Sequence, residues 1–230
     1  MPDSGPTGDG SGLLDAVPGP HGDQPIVTAG APRGATEAVV LALHGRGATA
    51  QGIVNLLDPV ARHGVTFVAP NAARSRWYPY ATTAPRERNE PHVASALAVV
   101  DALVEHITDR FGVQRNRIVL TGFSQGGSVA AEYVASHPAR YGGLAVLSGT
   151  LPGPTIGSRH FDGSLDGTPI LVAVGAADPR VPADRVTATA DVFRALGGEV
   201  TERHERGAGH AVSDASFEFL SSLLTALVGE

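Results

Sequence analysis

Residues 117–127 read "RIVLTGFSQGG", and the chain runs on into "SVAAEYVASH" at 128–137. The first part is a continuous apolar run rich in β-branched residues, as expected of a strand buried on both faces. The second part has helical character and stops before Pro138. Ser124 therefore stands where a strand turns sharply into a helix. Gly122 and Gly126 lie two residues before and two residues after it, filling the fixed positions of G-x-S-x-G. A serine on so tight a turn takes strained backbone angles and lifts its Oγ clear of the sheet. Side chains at the flanking positions would crowd the turn, so glycine serves at both. Gly127 then lets the helix sit close to neighbouring backbone. The helix N-terminus faces the serine, where its partial positive charge favours developing negative charge.

The same alternation extends outward in both directions. Apolar runs at 38–44 ("AVVLALH"), 65–70 ("VTFVAP"), 142–148 ("GGLAVLS") and 169–175 ("PILVAVG") read as further buried strands. Helical stretches lie at 51–64, 90–112, 124–138, 182–198 and 214–229, with Val93, Leu97, Val100 and Val104 on one face of the second. Strand–helix alternation predicts an α/β fold, a mostly parallel, doubly wound sheet with helices on both faces. Ligands of such sheets meet the carboxyl ends of the strands. Residues 1–25 contain six glycines and five prolines and read as a flexible extension, within which "LLDAV" (13–17) is apolar enough to dock. Residues 26–230 are expected to form one domain.

A serine hydroxyl is a poor nucleophile until a base takes its proton, and a carboxylate usually orients that base. In this type of fold the chain order is Ser, then Asp or Glu, then His. Asp178 in "GAADPRVP" (175–182) follows a strand directly, and His210 in "GAGH" (207–210) sits in a glycine-rich loop before the last helix. Asp162, Asp166 and Asp184 read as turn or helix-start carboxylates. His204 reads as a structural residue in a strand, His106 and His137 as residues near helix ends, and His21, His63, His92 and His160 as surface or loop residues. Acyl transfer also needs donors for an oxyanion, typically two backbone N–H groups. One is expected from Gln125, next to the serine, and one from the loop in "LALHGRGAT" (41–49), where Gly45 and Gly47 let the backbone turn inward.

Taken together, "LHGRGAT", "PNAARSRWYPY", "GFSQGG", "GAADPRVP" and "GAGH" resemble the carboxylesterase/phospholipase family of α/β-hydrolases, which includes acyl-protein thioesterases. The resemblance runs from about residue 36 to the C-terminus. It implies an α/β-hydrolase domain without a large cap and a cofactor-free serine hydrolase acting on small to medium esters or thioesters. It further implies a triad of Ser124, Asp178 and His210, and oxyanion amides from Arg46 and Gln125. "HGRG", with the later "RWYPY" and "NEPH", is closer to a bacterial or archaeal esterase branch than to the thioesterase branch, which usually carries an apolar residue at position 46. That argues against long acyl-protein and lipid substrates. Arg46 itself is expected to be solvated and to contribute only its backbone. Dienelactone-hydrolase-like or lysophospholipase activity on the same triad is an alternative, as is a non-catalytic binding protein; such proteins commonly lose a triad member, and none is missing here.

Residues 75–92 ("SRWYPYATTAPRERNEPH") form a long loop holding the chain's single tryptophan. Trp77, Tyr78 and Tyr80 are candidates to line an acyl or aryl pocket, against packing of the loop onto the body. Glu90 reads as a favourable first-turn charge. The chain has no cysteine, which removes disulfides, thiolate nucleophiles and thiolate metal sites. Every basic residue is arginine, which removes lysine Schiff-base and P-loop lysine chemistry. Net charge is −6, so no basic field favours nucleic acid. No metal-ligand spacing, nucleotide fingerprint, secretory signal or membrane span is legible. The expected location is the cytoplasm. A homodimer is compatible with the apolar surface, although no motif specifies one.

Overall fold

The computed structural model describes residues 12–229. In chain order the elements are β1 (Ile26–Gly30), β2 (Ala38–Leu43), α1 (Ala50–Leu56), β3 (Val65–Pro70), α2 (Arg86–Asn89), α3 (His92–Phe111), β4 (Ile118–Phe123), α4 (Gln125–Ser136), β5 (Gly143–Leu147), β6 (Pro169–Gly175), α5 (Ala183–Ala195), β7 (Glu199–Glu205) and α6 (Asp214–Val228). The strands form one sheet in the order β1-β3-β2-β4-β5-β6-β7. Only β1 runs antiparallel to its neighbour. The five apolar runs became the five central strands. β1 and β7 lie at the two edges of the sheet, where one face or one side meets water and the sequence turns polar or alternating.

Alternate residues of the central strands feed two separate cores. Val39, Leu41 and Leu43 meet α3 and α4 in a core that α5 joins from β6 and β7, while Ala38, Val40 and Ala42 meet α1 and α6. The stripe Val93, Leu97, Val100 and Val104 of α3 is buried. Each such side chain contributes roughly 1.5–3 kcal/mol relative to exposure. The expected helix over 51–64 stops at Leu56, and a short 3-10 turn, Asp58–Val60, follows. Pro59 has no N–H and its ring would strike the preceding turn, so the helix cannot continue. α4 is buried from Gln125 to Ala135. Its buried carboxylate, Glu132, accepts from Arg159 at 2.5 and 2.6 Å and from Arg86 at 3.0 Å, which ties two loops to the helix.

The β4–α4 junction brings backbones unusually close. A Cβ added at Gly126 would lie 2.1 Å from the Leu43 carbonyl oxygen, and one at Gly122 would lie 2.4 Å from the Gly126 carbonyl carbon. Both neighbours are main chain and cannot rotate away.

Residues 12–25, expected as part of a flexible extension, are instead seated on the body; residues 1–11 of that expectation lie outside the described residues. Leu14 joins the core beside α3, and His21 is fully buried, not a surface residue. The His21 amide donates to Ser95 Oγ (3.1 Å). Its Nε2–H donates to the Trp77 carbonyl (3.0 Å), and its Nδ1 accepts from the Ala73 amide (3.1 Å). His44 acts the same way from the end of β2. Its Nδ1–H donates to the Gly45 carbonyl (2.8 Å) and its Nε2 accepts from the Ala72 amide (3.0 Å). The two imidazoles flank the Trp77 ring at centroid distances of 5.4 and 5.2 Å. Each needs one bare nitrogen, so each is neutral, and burial holds both below the ordinary value of 6.5. No helix among the described residues is long and apolar enough to cross a membrane.

Gly126→Ala and Gly122→Ala are expected to destabilise the fold by about 3 kcal/mol or more, while Gly157→Ala, whose Cβ meets nothing within 4 Å, stays within about 0.5 kcal/mol. Denaturant unfolding of the three variants checks this; equal midpoints would contradict it. A second expectation concerns pH. His21 and His44, with His92 and His106 likewise lowered by burial, bind protons more readily unfolded than folded. Their contribution to stability is complete above the unfolded value near 6.5 and is lost as pH falls from there toward the lower folded values. Calorimetric Tm should fall between about pH 7 and about pH 5, and His21→Asn should flatten that slope. A Tm that holds or rises on acidification would contradict the assignment.

Candidate active site

Ser124 takes φ 54°, ψ −116° at the junction of β4 and α4. For a residue with a side chain that is a strained conformation, costing on the order of 1–3 kcal/mol. It is held by the Ser124 amide donating to the Leu147 carbonyl (2.8 Å) and by the Ser128 amide donating back to the Ser124 carbonyl (3.1 Å). The turn aims Oγ away from the sheet, over the carboxyl ends of the strands.

Asp178 and His210 arrive from the loops after β6 and β7. Main-chain bonds join these loops: the Ala176 amide to the Glu205 carbonyl (2.8 Å) and the Ala177 amide to the Ala208 carbonyl (3.1 Å). The result is an unbroken side-chain chain. Ser124 Oγ lies 2.9 Å from His210 Nε2, and His210 Nδ1 lies 2.7 Å from Asp178 Oδ2. The other carboxylate oxygen of Asp178 accepts the amides of Arg180 (2.8 Å) and Val181 (3.3 Å). The Asp178 side chain is fully buried, and that of His210 is 12% exposed. With Asp178 accepting from Nδ1–H, Nε2 is left bare toward the serine hydroxyl. The Phe123 ring, 5.0 Å from the imidazole between centroids, supports one face of it. Ser148, with φ 49° at the end of β5, donates its hydroxyl to the Ala211 carbonyl (3.2 Å) and so braces the histidine loop. No motif in the sequence singled out Ser148; its place at a strand's carboxyl end was the only signal.

The amides of Arg46 and Gln125 donate to no acceptor among the described residues. Gly45 lies against Phe123 and Ser124, so the loop after β2 borders the serine. These two amides are the donors the sequence proposed for an oxyanion, and they remain free for one.

The side chains of Arg46 and Gln125 do something the sequence did not reveal. Arg46 is exposed, as expected, but it contributes more than its backbone: its guanidinium donates to the carbonyls of Tyr78 (2.9 Å), Pro79 (3.1 Å) and Tyr80 (2.9 Å). Gln125 Oε1 accepts from the Trp77 amide (2.8 Å), and its Nε2 donates to the Tyr78 carbonyl (2.9 Å). Asn89 receives the Tyr80 amide (2.9 Å). The 75–92 loop is thereby fixed as a wall. Trp77 and Tyr78 are 0% and 1% exposed, so the expectation that they line a substrate pocket is corrected. Trp77 spends its ring between two histidines and donates its indole N–H to the His44 carbonyl (2.8 Å), and the Tyr78 hydroxyl pairs with Thr82 (2.8 Å). Tyr80 is the aromatic residue of the three that reaches the opening, 47% exposed, with Arg88 over its ring at 4.5 Å. Glu90 lies just before α3 and not in its first turn, yet its carboxylate reaches in and accepts from the Ala94 amide (3.0 Å).

Ser124, His210, Arg46, Gln125 and Tyr80 share one open cleft of about 590 Å³. Among the described residues no group of His, Asp or Glu is arranged to hold a metal ion.

Comparison with known proteins agrees with this architecture. A phospholipase/carboxylesterase from Dyadobacter fermentans superposes with a TM-score of 0.81 at 30% identity, over 87% of this chain and 96% of that one. A probable SOBER1-like carboxylesterase of Arabidopsis thaliana is 28% identical over 62% of this chain and 54% of its own length. Acyl-protein thioesterase 1 of Saccharomyces cerevisiae is 28% identical over 62% of this chain and 71% of its own. The chain thus spans about half the length of the plant relative. A match to the family described as phospholipase/carboxylesterase covers residues 25–228, and the chain belongs to that family.

Proposed function

We propose that this protein is a serine hydrolase that cleaves small to medium carboxylic esters or thioesters through an acyl-enzyme. The observation that carries the reading is the hydrogen-bonded series Ser124–His210–Asp178 at the floor of an open cleft, at 2.9 and 2.7 Å. As the Ser124 oxygen adds to the substrate carbonyl carbon, its proton passes to His210 Nε2. The imidazolium so formed is stabilised by the buried Asp178 carboxylate, which itself stays ionised. The carbonyl oxygen becomes an oxyanion, and the free amides of Arg46 and Gln125 are the donors suited to it. Collapse expels the alcohol or thiol, which takes the proton from Nε2. Water then adds to the acyl-enzyme by the same relay and regenerates the serine. Because the 75–92 wall is already anchored, the donors need no large rearrangement before reaction, which is the condition for electrostatic preorganisation.

Ser124→Ala is expected to lower kcat/KM for p-nitrophenyl acetate at least ~10³-fold, with the fold retained by circular dichroism. Undiminished hydrolysis in that variant would remove the reading. Asp178→Asn is expected to lower kcat by about 10⁴ with KM little changed, since it breaks the tautomer and not the cleft; steady-state kinetics separates the two parameters.

A further inference from the structure

Three of the chain's arginines, Arg46, Arg180 and Arg185, line the cleft beside Ser124 and His210, and no carboxylate among the described residues lines it with them. Arg86, Arg159 and Arg194 of this protein pair with acids. The cleft arginines, like Arg117, Arg140 and Arg203 outside it, pair with no acid among the described residues. The Arg46 guanidinium is oriented by the carbonyls of residues 78–80, and that of Arg185 by the carbonyls of Leu151 (2.9 Å), Gly153 (2.8 Å) and Pro154 (3.4 Å). Neutral carbonyls fix a guanidinium in place without cancelling its charge. Arg180 has no side-chain hydrogen bond among the described residues, although its backbone amide anchors Asp178. Burial disfavours the Arg185 cation, a loss that Asp184 at the start of the same helix offsets only in part.

The sheet order sets these charges on both sides of the nucleophile. Arg46 follows β2, Arg180 and Arg185 follow β6, and Ser124 ends β4 between them. Because the whole chain carries −6, a cleft of the opposite sign is a local feature and not an overflow of net charge. Cationic clefts with low-dielectric walls concentrate anions. A planar guanidinium with free N–H groups matches a carboxylate in a two-pronged contact.

We propose that the preferred substrates are esters or thioesters whose acid or alcohol part bears a free carboxylate, bound by Arg180 with the field of Arg46 and Arg185. This rests on the hydrolase reading above. The acyl side is tested with p-nitrophenyl hemiglutarate against p-nitrophenyl pentanoate. The alcohol side is tested with p-acetoxybenzoate against p-acetoxybenzamide. Each rate is divided by its spontaneous hydrolysis rate. At low ionic strength at least one pair should favour the anion by about tenfold or more in kcat/KM, chiefly through KM, and added salt should erode the preference. Arg180→Gln should lower that ratio about tenfold, and Arg180→Glu should lower it further. A ratio at or below one in both pairs, with p-nitrophenyl pentanoate still turned over, overturns this inference and leaves the hydrolase reading standing. A ratio that survives both Arg180 variants overturns the assignment of the carboxylate to Arg180. No enzymatic hydrolysis of any of the four esters brings down both readings.

Discussion

The close approach of backbones at the β4–α4 turn governs what surrounds it. Gly126 lies with its α-carbon almost against the Leu43 and His44 carbonyls, and Gly122 against the first turn of α4. Only in the absence of both side chains can α4 start so near the end of β2. That nearness places the loop after β2, with its free Arg46 amide, beside the serine at the turn. The strain at Ser124, on the order of 1–3 kcal/mol, is offset by a helix buried along almost its whole length between the sheet and α3. Fold and site are therefore not separable here, since the packing that stabilises the centre of the sheet also sets the position of the nucleophile.

A second layer of order comes from polar contacts to the main chain of residues 72–80. His21 and His44 accept two adjacent amides, Gln125 spans an amide and a carbonyl, and Arg46 gathers three carbonyls. A long loop would ordinarily sample many conformations, and each of these contacts removes some of that freedom. Gln125 and Arg46 also carry the unbonded amides proposed as oxyanion donors. Side chain and backbone of the same residue thus couple the wall to the reacting centre, so the cleft is built as a fixed shape. Carbonyls, not carboxylates, orient the guanidinium groups of Arg46 and Arg185, and both residues line the cleft.

Much of this was legible in the sequence because the relevant signals are local. Apolar runs of strand length gave the five central strands, and the glycine spacing around Ser124 gave the turn. Asp178 and His210 stood out by their order and by their position just past strands, and the fold brings both within hydrogen-bond distance of their neighbours. The signals that failed depend on tertiary partners. An aromatic side chain reads the same whether it lines a pocket or fills a core, and Trp77 and Tyr78 went to the core where His21 and Gln125 hold their backbone and the His44 carbonyl takes the Trp77 indole N–H. Arg46 is exposed as its sequence suggests, but its three carbonyl partners lie more than 30 residues away and left no local signal. The glycine- and proline-rich composition of residues 12–25 hid two buried anchors, Leu14 and His21, beside which Leu13 and Val17 also pack on the core. The edge strand β1, half-exposed and interrupted by Thr28, did not stand out.

The central claim is that Ser124 is a nucleophile activated by His210. The most direct measurement is reaction of the folded protein with a fluorophosphonate, followed by intact-mass analysis and peptide mapping. The account predicts a single adduct per chain, on Ser124, with no adduct after Ser124→Ala. A folded protein that stays unlabelled, or that carries the adduct on another residue, would contradict it.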